Sequence, residues 1–352
     1  MKTLTRIFLS SACLLSAEAL ALDINLIEDA AAPLNADQRN GFSEAAAIWE
    51  SRISSNVTIN ISVGMVTLNS NIIGQAASAW YDASYSDFRT KVAQKATSAT
   101  DAAFLATLPT GNSYTRLINQ TNDTPGTDPY ATWVDTQSKI FINGGNAKAL
   151  GLLSATNAGL DALIQFNTAF AFDYNRSNGI AYNQMDFVGA AAHEIGHALG
   201  FVSVVDDVDT VAGDAVDFLN TPMDFMRYSA SSFALGISDV SAGPVAKFIY
   251  INGVTVPMSL GANIGDGQQA SHFYVTGNLG MMAPTASYGQ KLAVSKNDLL
   301  VMDAIGWELT ALGQSEIPEP STYGLVLGAL SVAAVCIHRK SLKSKLTSRG
   351  SA

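Results

Sequence analysis

Cysteine is nearly absent from this 352-residue chain. The two present, Cys13 and Cys336, lie near its two ends, so the long middle has none. That excludes a disulfide framework, even in a compartment where disulfides are permitted. Histidine is almost as scarce: His193, His197, His272 and His338 are all there are. Glutamate is rare as well, and between Glu50 and Glu308 the only one is Glu194. Positive charge is in deficit, with 20 Lys and Arg against 30 Asp and Glu and a net charge of −10. The acidity is concentrated in the middle. Residues 1–21 carry a net +1 and residues 318–352 a net +4, which leaves 22–317 at about −15. Such a surface argues against nucleic acid and against an anionic membrane as partner.

The ends differ from the middle. Lys2 and Arg6 precede an apolar run from Ile7 to Leu15, and Ala19-Leu20-Ala21 is a small-x-small cleavage site. Residues 1–21 therefore read as a secretory signal, and the run is too short for an anchor helix. At the other end Ile317-Pro318-Glu319-Pro320 leads into an apolar run, Gly324 to Ile337, followed by Arg339, Lys340, Lys343 and Lys345. Pro-Glu-Pro, a short hydrophobic segment and a basic end together resemble the PEP-CTERM sorting signal of Gram-negative bacteria. The resemblance implies that residues 318–352 are recognised and removed by a membrane exosortase, and that the chain is exported to the cell envelope or beyond.

Residues 22–317 are long enough for a sizeable core. Asn35-Ala36-Asp37-Gln38 has the form of a capping box, and Phe42, Ala45, Ala46, Trp49 and Ile53 recur at helical spacing. Val57, Ile59, Ile61 and Val63 alternate with polar residues as a half-buried strand does. Helices are expected over 86–98 and 100–108, ending at Pro109. Residues 110–135, rich in Thr, Asn, Gly and Asp, read as loop with at most a short strand. A strand is expected over 139–142 followed by an Asn143-Gly144-Gly145 turn, and another over 164–172. Residues 202–295 have little regular pattern, and a last apolar helix spans 298–305. The sum is an α+β chain in which the last strand precedes the key helix.

That helix carries His193-Glu194-Ile195-Gly196-His197-Ala198-Leu199-Gly200. Histidines four apart lie one above the other on one helix face, where neutral imidazoles make good Zn²⁺ ligands. Glu194, beside the metal, is placed to take a proton from water there. Asp186 serves as N-cap and Gly200 as the stop. Val188, Ala192, Ile195 and Leu199 form the buried stripe. Glycines crowded beside the histidines, Gly189, Gly196 and Gly200, point to a close approach from outside the helix.

A catalytic zinc needs a third protein ligand and an open position. No glutamate is free to supply it. Position 203, which would complete the short H-E-x-x-H-x-x-G-x-x-H form, is Ser203. His272 and the carboxylates of Asp206, Asp207 and Asp209 remain, with histidine favoured beside two histidines. The helix motif, then Ser271-His272-Phe273, then Met281-Met282-Ala283-Pro284, resembles a leishmanolysin-like metzincin of a bacterial branch. The resemblance covers about residues 185–307. It implies a two-lobed zinc peptidase, with 22–201 as an upper lobe holding a mixed sheet and 202–317 as an irregular lower lobe. It implies His193, His197 and His272 as ligands to one catalytic Zn²⁺, Glu194 as general base and Met282 in a turn beneath the metal. It also implies a protein or peptide substrate. With no cysteine in 22–317, no cysteine can hold such an enzyme latent. Tyr274 and Tyr288 are expected candidates for stabilising the oxyanion. The alternative function is a zinc- or calcium-binding envelope or biofilm-matrix protein without peptidase activity. Asp and Asn residues around 173–178 and 205–217 are the candidates for Ca²⁺, although they lack the spacing of a calcium loop.

Overall fold

The computed structural model describes residues 21–119, 128–210, 218–277 and 279–317. The sorting segment, Cys13, Cys336 and all of the expected signal but Ala21 lie outside them. In chain order the elements are β1 (Asp23–Glu28), α1 (Ala36–Glu50), β2 (Thr58–Val66), β3 (Gly74–Ser78), β4 (Trp80–Ser84), α2 (Tyr85–Lys95), α3 (Ala99–Thr107), β5 (Tyr114–Asn119), β6 (Thr132–Gln137), β7 (Lys139–Asn143), α4 (Gly144–Leu150) and β8 (Ala162–Asn167). Two short strands, β9 (Phe172–Asp173) and β10 (Met185–Asp186), lead to α5 (Phe187–Ala198). Beyond it come α6 (Val205–Thr210), β11 (Arg227–Tyr228), α7 (Ala230–Leu235), β12 (Ser238–Asp239), β13 (Lys247–Ile251), β14 (Val254–Met258), α8 (Lys296–Ala304) and α9 (Ala311–Glu316). The chain is mixed α+β, and no described helix is long and apolar enough to cross a membrane.

The main sheet has the order β1-β2-β8-β3. The first three strands are parallel, and β3 runs antiparallel to β8 at the edge. Ile59, Ile61 and Val63 of β2 and Ile164 and Phe166 of β8 are buried. The apolar stripes of α1 and α5 pack onto this sheet: the Phe42 ring lies 5.8 Å from Phe166 and 5.0 Å from Phe187. Each such ring stabilises the layer by roughly 1.5–3 kcal/mol of burial. Asn35 does cap α1, with the reciprocal bond from Gln38. One buried cluster extends from Leu22 to Leu309. The last described elements return to its beginning, through the Ile53–Leu309 bridge and an Arg52–Glu316 ion pair at 3.0 Å.

Several sequence expectations need correction. Asn143-Gly144-Gly145 is a helix start, not a turn. The Asn143 side chain accepts from the Asn146 N–H at 3.0 Å and caps α4, which packing buries entirely. The strand expected over 164–172 spans 162–167. The buried Asn167 amide donates to the carbonyls of Asn69 and Ile72, and its oxygen accepts from Ala169 N–H, so its side chain wires a loop where pairing would otherwise continue. The stretch expected as loop over 110–135 holds β5 and most of β6, an antiparallel pair that turn composition obscured. The β13–β14 hairpin likewise lies inside the stretch expected to be irregular; Asn252 and Gly253, both with positive φ, make its turn. β12 adds to β5 in parallel, so residues on both sides of α5 share one sheet.

Candidate metal centre and cleft

α5 begins where Asp186 caps it. One carboxylate oxygen accepts from the Gly189 N–H at 3.0 Å; the other accepts from the Leu292 N–H and pairs with Arg176 at 2.7 Å. Val188, Ala192, Ile195 and Leu199 are buried as their spacing requires. The helix is also held through its own carbonyls. The Trp49 and Trp307 indoles donate to Ala192 and Leu199 at 2.7 and 2.8 Å. The Asn143 amide donates to both His197 and Ala198, at 3.0 Å each. Gly200, at φ +117°, then turns the chain sharply away.

The close approach expected at the glycines is made by Asp186 and Leu292 at Gly189, by Asn146 and Ile305 at Gly200, and by a methionine at Gly196. A Cβ on Gly196 would come within 2.5 Å of Met282 Sδ. Asp298, buried at the start of α8, fixes the Met281-Met282 turn by accepting from both backbone N–H groups, at 2.9 and 3.0 Å. The Phe273 N–H donates to the Met282 carbonyl at 2.9 Å, so the turn also anchors the strand-like segment behind His272.

The three histidines of the central chain meet. Their Nε2 atoms form a nearly equilateral triangle with edges of 3.1, 3.2 and 3.2 Å. Each opposite ring nitrogen faces a backbone carbonyl: His193 Nδ1 faces Met281 at 2.7 Å, His197 Nδ1 faces Phe201 at 2.7 Å, and His272 Nδ1 faces Gln269 at 3.1 Å. A carbonyl only accepts, so each Nδ1 carries the proton and each Nε2 presents a lone pair. Three lone pairs converging at this distance repel one another unless a cation lies among them. Four-coordinate zinc with Zn–N of about 2.0–2.1 Å separates its ligand nitrogens by roughly 3.3 Å, so the donor set fits that ion. Burial holds His193 below the usual imidazole range. Burial, reinforced by neighbouring imidazoles, holds His197 down to about 3 and His272 well below its ordinary value. Neutral rings are what a metal takes.

His272 lies 75 residues beyond His197, and a buried polar relay brings it back. The Ser203 N–H donates to Ser271 Oγ at 2.8 Å, and the Ser271 hydroxyl donates to Asp206. Asp206 also accepts from the Ala270 N–H at 2.5 Å. Ser203 Oγ donates to the buried Asp224 at 2.6 Å, which accepts from the N–H groups of Val204 and Thr221 too. Ser203, at the position a nearer ligand would take, thus ties down the segment that carries the distant histidine. Asp209 accepts from the Asn263 and Ile264 N–H groups, bracing the same returning segment. Among the described residues, only His193, His197 and His272 form a group with metal-ligand geometry; Asp206, Asp207 and Asp209 do not join it.

Glu194 lies in the same cleft, and burial pushes its carboxyl up to about 8. The cleft encloses about 630 Å³ between the β3 edge and α5 on one side and the segments around Gln269–His272 and Ala283–Ala286 on the other. Neither Tyr274 nor Tyr288 lines it, and Tyr288 is 53 % exposed, so among the described residues no tyrosine lines the cleft. The acidic loop near 173 is closed by its own bonds: Asp173 accepts from the Asn175 and Ala181 N–H groups. Residues 211–217 of the second calcium candidate lie outside the described residues. No protein-family model, no curated protein and no solved structure matches this chain.

Sequence reasoning missed Asn143, the paired indoles, the Ser203–Ser271–Asp206 relay and the β3 edge. Asn143 carried a legible signal, since Asn before a helix-compatible run is a cap as readily as a turn. The relay carried none, because serine and aspartate in loops are commonplace.

Proposed function

We propose that this chain is a zinc-dependent endopeptidase, leishmanolysin-like in its site, with the metal cleft lying between an upper lobe (22–201) and a lower lobe (202–317). The observation that carries the reading is the convergence of three Nε2 lone pairs, each oriented by a carbonyl on its Nδ1, beside the carboxyl of Glu194. His193, His197 and His272 would hold the ion. Bound there, zinc supplies Lewis acidity and lowers the pKa of water at its open position. The rest is done by the chain. Glu194, beside His193 in the cleft, accepts a proton from the attacking water and returns it to the departing amine. Its raised pKa favours the protonated form needed for the second transfer, and a nearby cation favours the ionised form needed for the first. β3 has an unpaired outer edge among the described residues and lines the cleft, so an extended peptide can add to the sheet there.

Export is part of the proposal and rests on sequence: the basic-apolar start with Ala19-Leu20-Ala21, and the Pro318-Glu319-Pro320 segment with its basic end. Intact mass of protein from its native host tests it; a species that keeps residues 323–352 argues for an anchored enzyme.

The deciding experiment for the activity is metal analysis with a casein-type assay before chelation, after chelation and after zinc is returned. Stoichiometric zinc with activity lost and regained is expected. A folded protein with neither zinc nor activity overturns the proposal, and zinc without activity favours the inactive binding protein.

A further inference from the structure

The cleft extends past the metal centre at one end, and that end has its own chemistry. Gly74, at the start of β3, lies against the Phe166 ring, which packs 4.9 Å from Phe187 at the start of α5. Ser78, at the end of β3, lies 3.4 Å from the Asn143 amide, which also donates to His197 at 3.0 Å. β3 and α5 therefore run in the same direction, and the residues just after Ser78 lie beyond the His197 end of the metal centre.

Trp80 stands there. It lines the cleft and is 45 % exposed, unusual for an indole that is not covered. Its ring rests on Phe141, with centroids 6.4 Å apart. Phe141 in turn packs on the small buried cluster that includes Val204, Val205 and Val208. The last two belong to α6, and from α6 Asp207 enters the same cleft. Asp207 differs from its neighbours: Asp206 and Asp209 are occupied by backbone N–H groups, whereas the Asp207 carboxylate accepts no hydrogen bond and forms no ion pair among the described residues. Among the described residues, no Lys or Arg lines the cleft. Burial, with Asp224 adding to it, raises the Asp207 pKa, so a cation beside it would be welcome.

We infer that Trp80 and Asp207 form a subsite for a cationic side chain of the substrate, its flat or aliphatic part on the indole and its charge against the carboxylate. An arginine side chain suits both surfaces, since a guanidinium stacks on indole and pairs with carboxylate. The subsite's position follows from the β3 edge. Antiparallel addition is the more stable pairing, and it runs the substrate opposite to β3. The N-terminal half of the peptide then lies at Trp80, so the cationic residue is N-terminal to the scissile bond. This rests on the peptidase reading above.

The test uses the zinc-loaded full chain and matched peptides with arginine, citrulline or glutamate at single positions on either side of the scissile bond. Citrulline keeps the shape and loses the charge. Arginine on the N-terminal side should be preferred to citrulline by roughly tenfold in kcat/KM, mainly through KM. Asp207→Asn should bring that ratio near one, with zinc content and melting temperature as in the wild type. Trp80→Ala should weaken arginine and citrulline peptides alike, and Trp80→Phe should restore much of the loss. A wild-type ratio of one, a ratio untouched in Asp207→Asn, or a preference confined to the C-terminal side overturns the inference. If no peptide is cleaved, the peptidase reading fails. Binding of the same peptides to the zinc-loaded Glu194→Gln protein, read by fluorescence anisotropy, then decides the subsite separately: arginine binding more tightly than citrulline supports it, and equal binding overturns it.

Discussion

Ser271→Ala probes how the distant histidine is held. The Ser271 hydroxyl accepts from the Ser203 N–H and donates to Asp206, and all three groups are buried or nearly so. Removing it orphans the Ser203 N–H, at about 1–3 kcal/mol, and removes one donor from a buried carboxylate, at about 1.5–3 kcal/mol. Relaxation or an entering water offsets part of this, so about 3 kcal/mol is the expected total. The loss falls on the residue next to His272 while the helix holding His193 and His197 keeps its own caps. It should therefore appear chiefly in metal affinity, where each 1.4 kcal/mol is about tenfold. Competition with a chromophoric chelator should show zinc dissociation constants raised at least roughly tenfold and up to about a hundredfold. If the loss fell instead on global stability, the apo-protein would melt about 6 °C lower, at roughly 2 °C per kcal/mol. Zinc affinity within about twofold of the wild type would refute the relay, whatever the melting temperature does.

Three further outcomes are expected. Glu194→Gln should retain zinc and lose about 10²–10⁴-fold in turnover; wild-type turnover would remove Glu194 from the mechanism. His272→Ala should abolish tight zinc binding while Asp207→Ala keeps it, as read by metal content after dialysis; the reverse pattern would restore an aspartate as third ligand. Burial, reinforced by the neighbouring carboxylates of Asp101 and Glu308, pushes the Asp303 carboxyl up to about 7. A folded-state pKa above the ordinary value means that ionisation costs stability, so this group's contribution declines as pH rises from about 4 to about 7, by at most about 4 kcal/mol. Asp303→Asn should therefore melt higher than the wild type at pH 8 and lose that advantage towards pH 4; a lower melting temperature at pH 8 would contradict the assignment.

What was legible in the sequence was local. The α5 motif, its Asp186 cap and its Gly200 exit depend on neighbours within one or two turns, where helical period and capping chemistry leave little choice. The capping box at Asn35 and the buried stripes of α1 and β2 were readable for the same reason. Composition did more than usual, because so few histidines and glutamates left His272 and three aspartates as the only third ligands to weigh. What tertiary structure alone decided lay across long separations. Asn143 became a helix cap because α4 is buried against the end of α5. Asn167 ended a strand because its amide satisfies the loop over residues 69–72. The hairpins β5–β6 and β13–β14 form from weakly alternating strands whose partners, not their own patterns, make them strands. The meeting of His272, rather than an aspartate, with His193 and His197 is of this kind. Serine and aspartate have no spacing rule that announces a relay, yet burial gives each an obligatory partner. Ser203, Asp206 and Asp209 met that obligation with the returning segment's own N–H and hydroxyl groups, and so delivered an imidazole from 75 residues away.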